Sequence, residues 1–251
     1  ILRMVASKLG KADDVATYSA DIEKFTNALT EHSWDKDSGY FSYVLHDENY
    51  NPTGFMLTED GENLNKGLDG IYPIIAGACN EEQKEAILSH LKSEKEMLSP
   101  YGISAVDVSA GYFMVNGYWN GNVWFPHQWF IFKSMLDSGR ADIARDIAHM
   151  ALNIWKREVD STYYTFEMVN VVTGRGGWFH NFGGLSAPIN LWTAAYYKPG
   201  TFNTGFDVWV EKQEFSNDNK SFEAELKYYG NNEKFTVIVA MNDEKKDYKV
   251  T

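Results

Sequence analysis

Between two helical stretches the chain carries Tyr164-Thr165-Phe166-Glu167-Met168-Val169-Asn170-Val171-Val172-Thr173-Gly174-Arg175-Gly176-Gly177, followed at once by Trp178, Phe179 and His180. Glycines at 174, 176, 177 and 183 forbid a long regular element after the acid, because glycine loses more backbone freedom on ordering than any other residue. One carboxylate, Glu167, is thereby set among aromatic side chains in a loop between rigid neighbours, which is how binding and catalytic groups are commonly presented. A plain connector whose aromatics cap a core has the same local spelling. The segments on either side have to decide between the two.

Those segments are mostly helical by period. A short helix is expected up to Gly10, and a longer one from Ala12 to about Thr30 places Val15, Tyr18, Ile22, Phe25 and Leu29 at spacings of three and four, the mark of a packing stripe. Trp34-Asp35-Lys36-Asp37-Ser38-Gly39-Tyr40-Phe41 reads as a turn entering the alternation Phe41, Tyr43, Leu45 of a short hairpin. Asp35 and Asp37 lack the further regularly spaced oxygen ligands of a calcium loop. The uniformly apolar run from Leu68 to Ala78 predicts an inner helix, and Asn80-Glu81-Glu82-Gln83 is a capping box opening a helix with Ala86, Ile87 and Leu91 on one face. After loop chemistry from Ser99 to Gly121, a helix is expected from near Asn122 to Gly139, with Pro126 in its first turn. An amphipathic outer helix follows from Ala141 to about Lys156, carrying Ile143, Ile147, Met150 and Ile154, and a last one runs from Leu185 to about Tyr197.

From Phe206 the period is two. Val208/Val210, Phe222/Ala224/Leu226 and Phe235/Val237/Val239 alternate with polar residues and predict an antiparallel sheet, with a final strand at Asp247 to Thr251. Paired helices with long aromatic loops on one side predict a mainly α architecture, an (α/α) toroid over residues 1–200, followed by an antiparallel β region over 201–251. About six or seven helices precede the sheet, roughly half of a closed toroid, and half a toroid would leave its inner apolar faces open. A missing N-terminal half of the same protein, or a second copy of this chain, is therefore expected against it. The start at Ile1, already inside a helical pattern and without methionine, points the same way.

Composition narrows the partners. A formal charge of -12 and a pI near 4.9 make binding to nucleic acid or an anionic membrane surface electrostatically unfavourable. No apolar run is long enough to cross a bilayer. Eight Trp and 15 Tyr beside few basic residues suit stacking on sugar rings. The single cysteine, Cys79, excludes an internal disulfide and a cysteine zinc site, and after Ile74-Ile75-Ala76-Gly77-Ala78 it reads as a small buried hydrophobe. Neither a cofactor nor a metal is expected. Asn219-Lys220-Ser221 spells a glycosylation sequon, which by itself assigns no compartment.

Four segments taken together resemble a known family. Gly70-Ile71-Tyr72-Pro73-Ile74-Ile75-Ala76-Gly77 before the capped helix, Tyr101-Gly102-Ile103-Ser104, Gly117-Tyr118-Trp119-Asn120-Gly121-Asn122-Val123-Trp124 and the Glu167 stretch follow the order and spacing of the family 63 glycoside hydrolases and their bacterial relatives. The signal at Trp34 to Phe41 is similar to theirs as well, so the resemblance covers about residues 1 to 197. It implies an (α/α)6 barrel and an inverting α-glycosidase related to trehalase, acting on an oligosaccharide or small glycoside. By that match Glu167 is implied to be the catalytic base, and Tyr118, Trp119, Asn120, Trp124, Trp178 and His180 are implied to line the substrate pocket.

Inversion needs one carboxylate to activate water and a second carboxylic acid, roughly 6.5–9.5 Å away, to protonate the leaving oxygen. The family's acid is an aspartate far upstream of the base. Gly67-Leu68-Asp69-Gly70 looks superficially like its motif, but Asp69 precedes Glu167 by only 167 − 69 = 98 positions and sits in a segment that matches a later part of the family. The acid is therefore expected from outside this chain. The chain departs from the family's usual Arg and Pro at Asn120 and Asn122, and from its frequent Glu at Arg175. Two other classes stay open: a non-catalytic carbohydrate-binding or scaffold half-barrel, and another reaction on the same barrel, such as phosphorolysis or elimination.

Overall fold

The computed structural model describes residues 1–242, so the strand expected at 247–251 lies outside the described residues. Helices α1 (Leu2–Lys8) and α2 (Ala12–Ala28) form where the period places them, separated by Gly10 at φ 67°. They pack on each other, but α2 buries none of its residues, and Ile22 and Phe25 stand exposed. The predicted stripe is there. Its ends, Val15, Tyr18 and Leu29, are half-covered, but Ile22 and Phe25 are not, because a helical period reports an apolar face and not which element will bury it.

A π turn, Leu29–Ser33, leads to the paired strands β1 (Trp34–Asp35) and β2 (Tyr40–Phe41), and then to the hairpin of β3 (Val44–His46) and β4 (Pro52–Phe55). Asp35 is used by its own turn: Oδ2 accepts from Ser38 Oγ at 2.6 Å and from Asn63 Nδ2 at 3.0 Å. The apolar run expected as one inner helix is broken into α3 (Leu68–Ile71) and a 3-10 turn, Tyr72–Ile74. Pro73 lacks the N–H a continuing helix would need and its ring crowds the preceding turn, and Gly77 at φ 65° closes the segment. Helix α4 (Glu81–Lys92) opens on the capping box as expected, Asn80 Oδ1 accepting from Gln83 N and Gln83 Oε1 from Asn80 N, both at 2.9 Å.

The short pair β5 (Leu98–Ser99) and β6 (Gly102–Ile103) precedes α5 (Phe125–Asp137). This helix begins three residues later than Asn122 because Val123 is held extended in an antiparallel bridge to Val169. Helix α6 (Ala141–Thr162) outruns its expected end near Lys156 and stops at Tyr163, whose φ of 61° gives the left-handed C-cap that ends a helix. Strands β7 (Phe166–Val169) and β8 (Gly176–His180) form a hairpin, followed by α7 (Gly183–Ser186) and α8 (Pro188–Tyr197). Strands β9 (Thr201–Asn203), β10 (Val208–Phe215), β11 (Phe222–Tyr228) and β12 (Ile238–Ala240) complete the described chain. β10 and β11 pair as a hairpin, whereas β12 pairs with β9, so the expected single sheet is two separate antiparallel ladders.

The core lies where α5, α6 and α8 meet. Ile143, Ile147, Ala151, Ile154 and Glu158 fall on one face of α6, and Ala144 and Ala148 beside them let α5 approach closely. Opposite them Ile131, Phe132, Met135 and Leu136 of α5 and Trp192 of α8 are almost wholly buried. Each large side chain taken out of water contributes about 1.5–3 kcal/mol. Truncating Ile131 to alanine would cost about 2–5 kcal/mol, since its neighbours on three helices cannot all collapse into the gap.

The β segments are tied to this core through Asp137 at the end of α5. Its carboxylate accepts from Phe206 N at 2.6 Å and Asp207 N at 3.1 Å, and burial pushes its pKa up to about 6. Only glycine fits at 205, where a Cβ would lie 1.8 Å from Asp137 Oδ1. Among the described residues no helix is long and apolar enough to cross a membrane.

Candidate active site

Glu167 sits at an irregularity in its hairpin. Phe166 pairs with His180 while Met168 pairs with Gly177, so Trp178 and Phe179 together oppose Glu167. Such bulges bend a strand and re-aim a side chain, and they recur beside active sites. The bulge forces Trp178 to φ 62°, a conformation a bulky residue avoids at a cost on the order of 1–3 kcal/mol. The hairpin is fastened from both sides. Val169 and Val123 exchange backbone hydrogen bonds at 2.8 and 2.9 Å, which ties the acid's strand to the segment leading into α5. From the end of α6, Arg157 donates to the carbonyls of Thr173 and Gly174, and the buried Glu158 carboxylate pairs with Arg175. Inside the loop Asn170 Oδ1 accepts from Val172 N and Thr173 N, both at 3.0 Å.

The result is a carboxylate only 6% exposed with two unlike oxygens. Oε1 accepts a hydrogen bond from the Tyr118 hydroxyl. Oε2 is buried and has no hydrogen-bond partner among the described residues. A buried oxygen left open in this way is costly unless a water or ligand group completes it. The bond to Glu167 is the main cause raising the Tyr118 phenol above its ordinary pKa, so Tyr118 stays a donor.

Around Tyr118 the expected aromatics gather. Its ring meets Trp124 at 4.8 Å, Trp178 at 5.0 Å and Trp119 at 5.3 Å, all edge-on. Trp124 is 1% exposed and its Nε1 donates to Tyr118 O at 3.3 Å, so it backs the cluster, while Trp119 lies stacked on it at 4.0 Å with 55% of its surface open. Asn120 is occupied structurally, its Nδ2 donating to Tyr112 O at 3.3 Å. His180 stands apart from the cluster, against Tyr164 at 4.7 Å near the open end of the hairpin.

Beside Trp119 opens a cavity of about 400 Å³ whose lining includes Tyr43, Asn65, Asp69, Tyr112, Trp119 and His127. Glu167 is not among its lining residues. Tyr43 donates to Asp69 Oδ2 at 2.8 Å, and burial together with that bond pushes the Tyr43 phenol up to about 12. The Tyr72 hydroxyl bonds His127 Nδ1, and burial lowers the His127 pKa, with Asp69 acting against it, so the ring is neutral at pH 7. His127 carried no distinguishing signal in the sequence beyond its place one turn into α5, three residues after Trp124. Tyr43 likewise read only as a hairpin residue, and Tyr72 as part of the apolar Gly70–Gly77 motif with no site role attached.

One group among the described residues brings metal-type donors together: His90, Glu96 and Asp107, within 4.8 Å of one another. The Asp107 carboxylate is spent internally, and Glu96 Oε2 lies 3.2 Å from His90 Nδ1. Asp107 accepts from Tyr40 OH at 2.9 Å and from Ser109 N at 2.8 Å, Lys66 Nζ lies 4.0 Å away, and His90 stacks on Tyr40 at 4.1 Å. It works as a buried charge network joining β2 to α4.

Comparison with known proteins agrees with the resemblance read from the motifs. The family model for the mannosylglycerate hydrolase MGH1-like glycoside hydrolase domain matches residues 1–184. The chain is 22% identical over 209 residues to a probable mannosyl-oligosaccharide glucosidase of Schizosaccharomyces pombe, covering 78% of this chain and 25% of that protein. Among solved structures it is similar to the GH63 mannosylglycerate hydrolase from Thermus thermophilus in complex with glucose, at 23% identity and TM-score 0.52, covering 65% of this chain and 35% of that one. It is also similar to the neutral trehalase of Saccharomyces cerevisiae, at 17% identity and TM-score 0.52, over 71% of this chain and 30% of the other. At these identities the structural likeness speaks for the fold. The chain spans about a quarter to a third of the length of these relatives.

Proposed function

Because the chain belongs to the family of MGH1-like glycoside hydrolase domains, we propose that it contributes one half of the active site of an inverting α-glycosidase, with Glu167 as general base. The observation that carries this is the state of the Glu167 carboxylate: aimed by a bulge, fixed through Oε1 by Tyr118, and open at the buried Oε2. Oε2 is the oxygen that takes a proton from the attacking water as that water's oxygen bonds to the anomeric carbon. The leaving oxygen is protonated by a carboxylic acid from outside this chain, on the opposite face of the sugar.

That acid comes with the partner. In this reading residues 1–200 are half of an (α/α)6 toroid and residues 201–251 a β region, and an N-terminal half of the same protein, or a second copy of this chain, covers the open aromatics. Ile22 and Phe25 on α2, and Trp178 and Phe179 on the hairpin, are exposed in the way such a junction requires. The substrate is an α-linked oligosaccharide or small glycoside. Proton NMR of the first-formed sugar, taken with the complemented enzyme on an α-glycoside, tests the stereochemistry. The β-anomer is expected, and the α-anomer would overturn the assignment of Glu167 as base to an activated water.

One observation favours a second reading, a carbohydrate-binding half-barrel without catalysis. The open cavity is at Asp69, and Glu167 does not line it. Sugar binding with no turnover in the complemented protein would select that reading.

A further inference from the structure

The cavity beside Trp119 offers a particular set of groups. Asp69, near the start of α3, is held by Tyr43 through Oδ2, and among the described residues Oδ1 takes no hydrogen bond. Its position is fixed by the backbone: Gly67 bridges Val106, and Leu68 N donates to Ala105 O at 3.0 Å. Burial lowers the His127 pKa, so the ring is neutral; Nδ1 is engaged with the Tyr72 hydroxyl, which leaves Nε2 as the ring's remaining polar atom. The indole of Trp119 meets the His127 ring edge-on at 5.6 Å and is braced from behind by Trp124. Among the described residues no Lys or Arg lines the cavity. The space, about 400 Å³, lies within the ~300–1,000 Å³ of typical small-molecule sites.

An acceptor oxygen, a neutral imidazole nitrogen and an aromatic face, with no fixed cation, suit a neutral polyhydroxylated ring, whose hydroxyls both donate and accept, and reject an anion. We propose that this cavity binds one pyranose ring, with Asp69 accepting from ring hydroxyls and Trp119 stacking on the ring's apolar face, independently of the Glu167 carboxylate. The proposal rests on the glycosidase reading for the class of ligand and adds a second working carboxylate to the chain. Asp69 is thus a specificity-determining group: a hydroxyl placed toward Oδ1 gains a charge-assisted hydrogen bond, and the epimer that turns it away does not.

The test is a titration of the 251-residue chain with methyl α-glucopyranoside and, separately, methyl α-mannopyranoside, followed by tryptophan fluorescence and calorimetry. Saturation by one sugar at millimolar concentration is expected, with at least a fivefold preference over the other. Asp69→Asn should weaken that binding tenfold or more with an unchanged unfolding midpoint, and Trp119→Ala should abolish the fluorescence change. Glu167→Gln should alter affinity less than twofold. Failure of both sugars to saturate the wild-type chain, an Asp69→Asn affinity within twofold of wild type, or an equal loss in Glu167→Gln would each overturn the proposal. The base assignment is judged separately, by turnover of the complemented enzyme, so a binding result of either sign leaves it standing.

Discussion

The two carboxylates nearest the aromatic cluster live under opposite conditions. Glu167 is buried, presented by a strained hairpin and capped by Tyr118, and it does not line the cavity beside Trp119. Asp69 stands open in a cavity, held by a single hydrogen bond from Tyr43. Trp119 and Tyr118, adjacent in sequence and 5.3 Å apart ring to ring, connect the two places. Chemistry that develops charge needs a group whose position is fixed before reaction and whose water is excluded. Recognition of a neutral sugar needs an accessible group with room beside it. Under the proposed function, the contrast sets a reacting half beside a recognising half within one chain.

The largest effect that could break this division is on turnover. Glu167→Gln keeps the size and the Tyr118 contact but cannot accept a proton, so kcat of the complemented enzyme should fall ~10²–10⁴-fold with KM nearly unchanged. Stopped assays on an activated α-glycoside measure it. Next comes the strained residue. Trp178→Gly should relax the backbone at φ 62° and remove the ring from Tyr118, lowering kcat about tenfold while the thermal unfolding midpoint holds or rises. A loss of stability in step with activity would make Trp178 an ordinary packing residue. Tyr118→Phe leaves both Glu167 oxygens free, and a severalfold fall in kcat without change in sugar binding at Asp69 would keep the two halves distinct.

How far these features could be read from the sequence follows from where their causes lie. The Asn80 capping box and the stripe of α6 depend on residues within a turn or two of each other, and each appears where its spelling places it. The Glu167 stretch, expected as a loop, folds instead as the hairpin β7–β8, because strand pairing of Phe166–Val169 with Gly176–His180 is a contact across the turn that its glycines do not state. The bulge that points Glu167 depends on a two-against-one pairing across a hairpin, which no local pattern states. The Asp69 cavity was less legible still. Tyr43, Asp69, Trp119 and His127 come from the link between β2 and β3, a short helix, a loop and the first turn of α5, and only tertiary packing brings them together. Pro73 was a readable stop signal inside the Leu68–Ala78 run, and hydrophobicity outweighed it in the expectation of a longer helix. The stripe on α2 shows the converse, a correct period whose Ile22 and Phe25 stay exposed.

Smaller effects sharpen the comparison at its edges. Ile22→Ser with Phe25→Ser on α2 should change the stability of this chain by less than about 0.5 kcal/mol, because both side chains are already exposed, yet weaken association with the complementing half in sedimentation experiments. The pH dependence at His127 is smaller again. Its pKa is lowered in the folded chain, so the neutral ring's contribution is present above about 6.5, the unfolded value, and is lost as pH falls through the depressed folded value. Between about pH 7 and 5 the unfolding midpoint of the wild type should therefore drop more than that of His127→Gln, whereas sugar affinity between about pH 8 and 7 should stay level.

The account turns on Glu167 activating a water, and chemical rescue tests that most directly. In Glu167→Ala, azide can enter the space left by the carboxylate and attack the anomeric carbon without needing a base. With the complemented enzyme and an activated α-glycoside, azide should restore turnover and give the β-glycosyl azide, identified by NMR and mass. Turnover of Glu167→Ala near the wild-type rate in the absence of azide, or a glycosyl azide of retained α configuration, would contradict it.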